Sequence, residues 1–212
     1  MPREMPNLAL SFANSVDGAV ELVKGVESAR SKLGSEDSRQ CLPVPRIELT
    51  YELSFLRIFN AWEDFLEQGL LRYMCGYEAR HGQEDPIDGV FCKSLRSAKV
   101  KLNSGQQYLL WHNPGKVVRR AAMHLRNSRH EVVITSMQGR IENFAAIRHR
   151  IAHAHAREEF DRASMALAGK RYLGSRPGKF LRDWAPHTNV PSRWLEVVSI
   201  ELKGLAFQIV PK

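Results

Sequence analysis

The sequence predicts an all-α protein, a bundle of helices without a central sheet. Apolar residues recur at spacings of three, four and seven over most of the chain, which is the period of amphipathic helices. Turn-forming residues separate these stretches. The helical stretches do not alternate with short apolar runs, as helices alternate with strands in a βαβ fold. A chain of 212 residues can bury one hydrophobic core, so we expect a single domain over 1–212.

The helices are predicted from apolar stripes and from the turn residues between them. Residues 1–47 form an N-terminal helix and linker, because a Gly-Ser turn and two prolines keep the first helix from continuing into the next. Residues 48–210 form the core, in which residues 93–110 are compatible with either a short helix or a strand. The predicted helices cover about 5–33, 48–78, 114–127, 131–155 and 157–172, with a last one opened by Pro191-Ser192.

The composition is that of an ordinary globular protein, with 43% hydrophobic and 25% charged residues, which excludes wholesale disorder. No stretch approaches the roughly 20 apolar residues of a membrane span, and the first residues lack an apolar signal core. The cysteines (Cys41, Cys75 and Cys92) are far apart, which argues against a disulfide framework or a cysteine zinc site. We therefore expect a cytoplasmic protein with no membrane partner.

Positive charge is concentrated in the middle of the chain. Residues 93–182 carry 19 Lys or Arg against 5 Asp or Glu, whereas residues 1–92 carry 9 against 15. No carboxylate lies between Lys93 and Arg129. Such a block favours a polyanionic partner, because cations that neutralise phosphates release condensed counterions. Charge alone is equally compatible with a solvated basic surface, and an acidic membrane surface is a weaker alternative.

An arginine interrupts the apolar stripe of the helix expected at 131–155. At about 100° per residue, Arg148 falls near the middle of the stripe, level with His155. A guanidinium that keeps its proton is costly to bury alone. Either a carboxylate meets Arg148 in the core, or this face meets a cleft or a second subunit with an anionic ligand between. The stripe consists of Ile134, Met137, Ile141, Phe144, Ile151 and Ala152.

Three histidines and two arginines lie within residues 148–155. His149 and His153 share a helix face at the spacing of a zinc pair, but Arg150 replaces the glutamate of an HEXXH motif. Two adjacent cations would also oppose a divalent ion, so we expect no metal and no cofactor. A basic helix end, whose side chains cap the last carbonyl groups, is a further interpretation.

The same residue types suit cleavage of RNA without a metal ion. A ribose 2′-hydroxyl that attacks its own phosphate needs a base, an acid for the departing 5′ oxygen, and fixed positive charge for the phosphorane. Histidine titrates near neutrality and serves as base or acid. Arginine supplies permanent charge and paired donors for phosphate oxygens.

The segment that begins at Arg148 resembles the HEPN superfamily, whose signature is R-x4–6-H with a polar residue after the arginine. Arg148, His149 and His153 match the commonest form, while Arg148 and His155 satisfy the longer spacing. Three further segments are similar to MAE-type (RiboL-PSP-HEPN-like) nucleases, so the resemblance spans most of residues 48–210. They are residues 61–67 (AWEDFLE), 111–114 (WHNP) and 176–181 (RPGKFL).

The resemblance implies an up-and-down helical bundle with peripheral helices that dimerises through its motif helices. It also implies a metal-independent endoribonuclease, acting as a toxin or antiviral effector, with an antitoxin or defence-system protein as a possible partner. Arg148 would bind the scissile phosphate, His153 would act as base or acid, and His149 would shape the cleft. The tyrosine of R-x4-H-x-Y toxins is replaced by His155, which puts tyrosine-directed silencing in doubt.

Several residues are candidates for supporting roles, each alongside an ordinary surface assignment. His155, Arg150, Glu142 and Asn143 are possible auxiliary residues of the site. The predicted RNA-binding residues are Lys116, Arg119, Arg120 and Arg126. The alternative function is a non-catalytic HEPN module that binds nucleic acid or a partner protein, and a metal-dependent hydrolase built on His149 and His153 is more distant.

Overall fold

The computed structural model describes residues 3–103, 109–186 and 188–211, and it confirms the predicted all-α helical bundle. Within these ranges the chain forms ten helices and four short strands. The helices are α1 Leu8–Lys32, α2 Ser35–Cys41, α3 Val44–Met74, α4 Leu95–Asn103, α5 Pro114–His124, α6 Arg129–Ser136, α7 Gln138–Ala152, α8 Arg157–Ala168, α9 Pro177–Arg182 and α10 Trp194–Ile209. The strands are β1 Arg3–Glu4, β2 Tyr77–Glu78, β3 Asp85–Pro86 and β4 Leu125–Arg126.

The strands pair as two small ribbons. β1 and β2 are parallel, with Arg3 opposite Tyr77, and β3 and β4 are antiparallel, with Asp85 opposite Arg126. The open segment 93–110 contains helix α4, while its residues 104–108 lie outside the described residues.

The predicted linker contains more helix than expected. Residues 35–38 of the expected Gly-Ser turn belong to α2, whose first turn carries Glu36 and Asp37, and carboxylates there favour a helix N-terminus. Helix α3 begins at Val44, before the predicted start, because Pro45 lies in the first turn, where a backbone N–H is not needed.

The single helix predicted over 131–155 is wrong, since the structure has α6 and α7 with a break at Met137. The backbone there leaves the helical region, and the Met137 N–H bonds to Ile134 O and Thr135 O instead of continuing the ladder. The Ser136 hydroxyl donates to Val133 O at 2.8 Å, a local bond that competes with regular helix.

Contacts divide the chain into two compact units. Unit 1 comprises 1–13, 61–142 and 202–212, and unit 2 comprises 14–60 and 143–201. These units do not follow the expected boundary at residue 47, and the single domain over 1–212 stays a prediction.

Unit 1 has an aromatic core. Trp62 and Phe65 stack with ring centroids 5.6 Å apart, and Phe12 of α1 packs against both. Asn113 caps α5 by accepting from the Lys116 N–H at 3.0 Å, as the Asn-Pro sequence predicts.

Unit 2 is packed around Phe180 of α9. Its ring stacks on Trp194 at 5.1 Å and meets Phe160 and Tyr172 edge to face. α9 is docked on α3 through Gly178, whose N–H donates to the Glu52 carboxylate at 2.8 Å.

None of the helices in the described ranges has the length and apolar character needed to cross a bilayer.

We expect Gly178→Ala to lower the free energy of unfolding by about 2 kcal/mol, because an added Cβ would overlap the backbone carbonyl of Glu48. Urea denaturation measures the change. Gly25→Ala in α1 is the matched control, since its Cβ would meet no atom within 4 Å and removing a helical glycine stabilises by up to about 1 kcal/mol. Equal stability of the two variants would contradict the tight contact.

We expect His130 to make folding sensitive to acid. Its ring is fully buried, its Nε2 lies 3.0 Å from Leu66 O, and burial lowers its pKa from 6.5 to about 4. The unfolded chain therefore takes up a proton before the folded one, so stability falls as the pH drops from 6.5 towards 4, by about 3 kcal/mol. His130→Gln keeps a hydrogen-bond donor but does not titrate in this pH range. Urea unfolding between pH 6.5 and 4 should show a shallower slope of stability against pH for this variant than for the wild type. Parallel pH profiles would rule this role out.

Candidate active site

The motif arginine lies on α7 beside its buried face. Phe144 and Ile147 are fully buried, and Arg148 is half-buried. The predicted apolar stripe does not extend further, since Ile151 is half-buried and Ala152 is exposed. Arg148 therefore lies at the edge of the packed part of α7.

His153 and His155 lie in the turn after α7, which corrects the prediction that His155 is level with Arg148 on one continuous helix. The His153 N–H still bonds to His149 O at 2.8 Å, but the Ala156 N–H bonds to His153 O and closes a turn. His155 is thus placed by this turn, and its alignment with Arg148 around a continuous helix is wrong.

The turn nevertheless brings the three motif histidines together. The ring of His149 lies 4.9 Å from that of His153 and 5.8 Å from that of His155, measured between centroids. His153 and His155 stack at 5.5 Å with 28° between their planes. His153 and His155 are exposed and His149 is half-buried, so a ligand at the surface can reach the cluster.

A carboxylate from α8 holds His149. Its Nδ1 lies 2.7 Å from Oε2 of Glu159, and a carboxylate bonded to one ring nitrogen orients the imidazole. Both side chains are partly exposed, so the pair contributes little to stability. The sequence analysis missed Glu159, because the residue lies ten positions after His149 on another helix. Acidic residues in the first turn of α8 are the only sequence signal for it.

Arg150 is used to hold the histidine turn. Its Nη1 donates to Ala154 O at 2.5 Å and its Nε donates to Ser175 O at 3.1 Å. The charge of Arg150 also acts on Glu52. Burial raises the pKa of the Glu52 carboxyl, and the hydrogen bond from the Gly178 N–H lowers it. Arg150 therefore binds carbonyl groups of the turn after α7 and of the loop before α9, and neither is a carbonyl of α7 itself, as the basic-helix-end interpretation would require.

No family model, curated protein or solved structure matches this chain. The interpretation of the site therefore depends on its own geometry and chemistry.

Ser175 connects the loop before α9 to α8. Its hydroxyl donates to Asp161 Oδ1 at 2.7 Å and accepts from Arg157 Nε at 2.9 Å, and the residue is 1% exposed. Ser175 is therefore held through its side chain by α8, while its carbonyl accepts from Arg150. No sequence motif indicates this network, because its members are 14 and 18 residues apart.

Glu142 and Asn143 occupy ordinary positions on α7. Glu142 is exposed, accepts from Gln138 Nε2 at 2.8 Å and belongs to unit 1. Asn143 is half-buried and belongs to unit 2 with the histidines. Auxiliary roles for both stay predictions.

Three of the four predicted RNA-binding residues come together in unit 1. Lys116, Arg119 and Arg120 line one pocket of about 150 Å³. Arg126 is not among the lining residues and lies on β4, where its Nη2 donates to Ile87 O at 3.4 Å.

Within the part of the chain that the structure describes, no group of three or more His, Cys, Asp or Glu side chains is arranged to hold a metal ion.

We expect Arg150→Lys to loosen the histidine turn although it keeps the charge, because an ammonium cannot reproduce the fixed fork that reaches two carbonyl groups. The change should lower stability by about 1–2 kcal/mol. It should also move the ring proton resonances of His153 and His155 in NMR spectra. Arg162→Lys on α8, an exposed arginine, is the control and should move neither. Unchanged histidine resonances in Arg150→Lys would show that the turn holds without it.

Proposed function

We propose that this chain is a metal-independent endoribonuclease of the HEPN type that cleaves RNA by attack of a ribose 2′-hydroxyl on the adjacent phosphate. The observation that carries the proposal is the cluster of His149, His153 and His155, with ring centroids 4.9–5.8 Å apart, directly after Arg148. This reaction needs a base and an acid near one phosphate, which two imidazoles can supply, and few structural roles need three of them at an accessible surface.

In the proposed reaction one imidazole removes the proton of the 2′-hydroxyl. The oxygen–phosphorus bond forms, the bond to the 5′ oxygen breaks, and a second imidazole protonates the departing oxygen. The products are a 2′,3′-cyclic phosphate and a 5′-hydroxyl. The guanidinium of Arg148 stabilises the charge that develops on the phosphate.

The contacts support proton-transfer roles for His149 and His153. His149 is oriented by Glu159 at 2.7 Å, so its Nε2 is suited to accept or donate a proton in a fixed direction. His153 is the neighbouring imidazole at 4.9 Å and supplies the complementary step. His155 stacks on His153 and positions it.

The proposed assembly is a homodimer through α7 in the cytoplasm, with RNA as substrate. A second α7 covering the edge of the packed face would enclose Arg148, which is half-buried in the single chain. A toxin or antiviral role, held in check by an antitoxin or defence-system protein, follows from the HEPN resemblance.

The test is cleavage of single-stranded RNA in the presence of EDTA. We expect His153→Ala, His149→Ala and Arg148→Gln each to lower the rate at least about 100-fold, the usual contribution of an acid–base or charge-stabilising group. His112→Ala, a histidine of unit 1, is the control and should cleave at the wild-type rate. Sedimentation of every variant shows whether the oligomer is preserved.

Three other results would count against this mechanism. Wild-type cleavage by His153→Ala would remove His153 from the reaction. RNA binding without any cleavage would favour the non-catalytic module. Activity that EDTA abolishes, together with stoichiometric zinc, would favour the metal-dependent hydrolase on His149 and His153.

A further inference from the structure

The second feature with ligand-binding character is the α5 pocket, defined by Leu102 and Asn103 of α4 together with five residues of α5. Its volume is about 150 Å³, below the several hundred Å³ of pockets that enclose whole small molecules. It therefore suits one chemical group better than a complete ligand. The α5 residues are Lys116, Arg119, Arg120, Met123 and His124, so four of the seven lining side chains are basic and none is acidic.

Arg120 is the inner cation of the α5 pocket. Its guanidinium lies over the ring of Trp111, with 5.5 Å to the centroid, and Trp111 is 5% exposed. Burial lowers the pKa of Arg120, and the charge of Arg119 lowers it further. Its Nη1 atom is buried and has no hydrogen-bond acceptor among the described residues. A buried donor without an acceptor is costly, so an anion that reaches it gains a charge-assisted bond.

The carboxylates that act on the pocket are already paired elsewhere. Glu67 acts on Arg120, but its Oε1 lies 2.8 Å from Lys99 Nζ. Asp88 acts on His124, but its Oδ2 lies 2.6 Å from Lys101 Nζ. Burial and the positive charges of Lys101 and Arg120 lower the pKa of His124. The positive charge of the lining is therefore that of Lys116, Arg119 and Arg120.

We propose that the α5 pocket binds one phosphate group of an RNA strand. Arg120 forms the inner contact and Arg119, which is exposed, closes over the phosphate from outside, with Lys116 and His124 at the sides. Two guanidiniums offer planar paired donors that match phosphate oxygens. This inference deepens the proposed function by naming where unit 1 binds the substrate backbone, although the binding itself needs no cleavage.

The experiment measures the anisotropy of a labelled single-stranded RNA bound to the full chain carrying His153→Ala, in EDTA. We expect Arg119→Gln to weaken binding about tenfold. The slope of log affinity against log salt should fall by about 0.7, the value for one lost phosphate contact on a single strand. Arg96→Gln is the matched control, because Arg96 is exposed on α4 outside the pocket, and it should change affinity less than twofold.

Arg120→Lys is a second variant, which keeps the charge but loses the fork, and thermal unfolding shows whether it is folded. We expect it to weaken RNA binding while Arg96→Gln does not. Adding inorganic phosphate or adenosine monophosphate as a competitor identifies the source of the phosphate. Weak competition by both supports a backbone phosphate, whereas strong competition by the mononucleotide, sensitive to Arg119→Gln, would overturn RNA as the source.

The proposal is overturned if Arg119→Gln and folded Arg120→Lys both match Arg96→Gln in affinity and salt slope. Its failure is distinguishable from failure of the ribonuclease proposal. If cleavage does not depend on His149 and His153, the RNA-binding result still stands. If RNA binding does not depend on Arg119, cleavage at saturating RNA is unaffected.

Discussion

The candidate site depends on the two hydrogen bonds that Arg150 donates to Ala154 O and Ser175 O. Helix α7 ends at Ala152, and the bond from the His153 N–H to His149 O continues its ladder into the turn that carries His153 and His155. One planar guanidinium links that turn to the loop before α9. The three imidazoles lie within 6 Å of one another. Arg150, predicted as a possible auxiliary residue of the site, supports the turn that carries two of the candidate histidines.

The fold was predictable wherever a long apolar stripe had clear ends. Helices α1 and α5 follow the predicted spans to within three residues, and α10 begins close to the predicted opening at Pro191-Ser192. Apolar periodicity defines these helices, and the Asn113 cap fixes the start of α5. The predictions failed where local chemistry was ambiguous. Gly-Ser-Glu-Asp reads as a turn but opens α2, and the Ser136 hydroxyl ends α6 inside an unbroken apolar pattern.

The histidines of the site were predictable and their support was not. Residue types and spacing pointed to His149 and His153 because the two are four positions apart on the chain. Glu159 and Ser175 reach the site from α8 and from the loop before α9, and only the folded chain brings them there. The basic residues behave in the same way. The charge pattern grouped Arg126 with Lys116 and Arg120. In the structure, helix α5 brings Lys116 and Arg120 to one pocket, whereas Arg126 lies on strand β4.

Ser175 also has a backbone φ of +47°, a left-handed conformation that costs a side-chain-bearing residue about 1–2 kcal/mol. Glycine adopts a left-handed conformation freely, and the preceding residue, Gly174, also has a positive φ. A glycine at 175 would lose the hydroxyl that Arg157 and Asp161 share. Serine at this position therefore costs folding free energy but keeps the loop before α9 held to α8. We infer that the imidazoles are thereby preorganised, so that a ligand that binds them removes little conformational entropy.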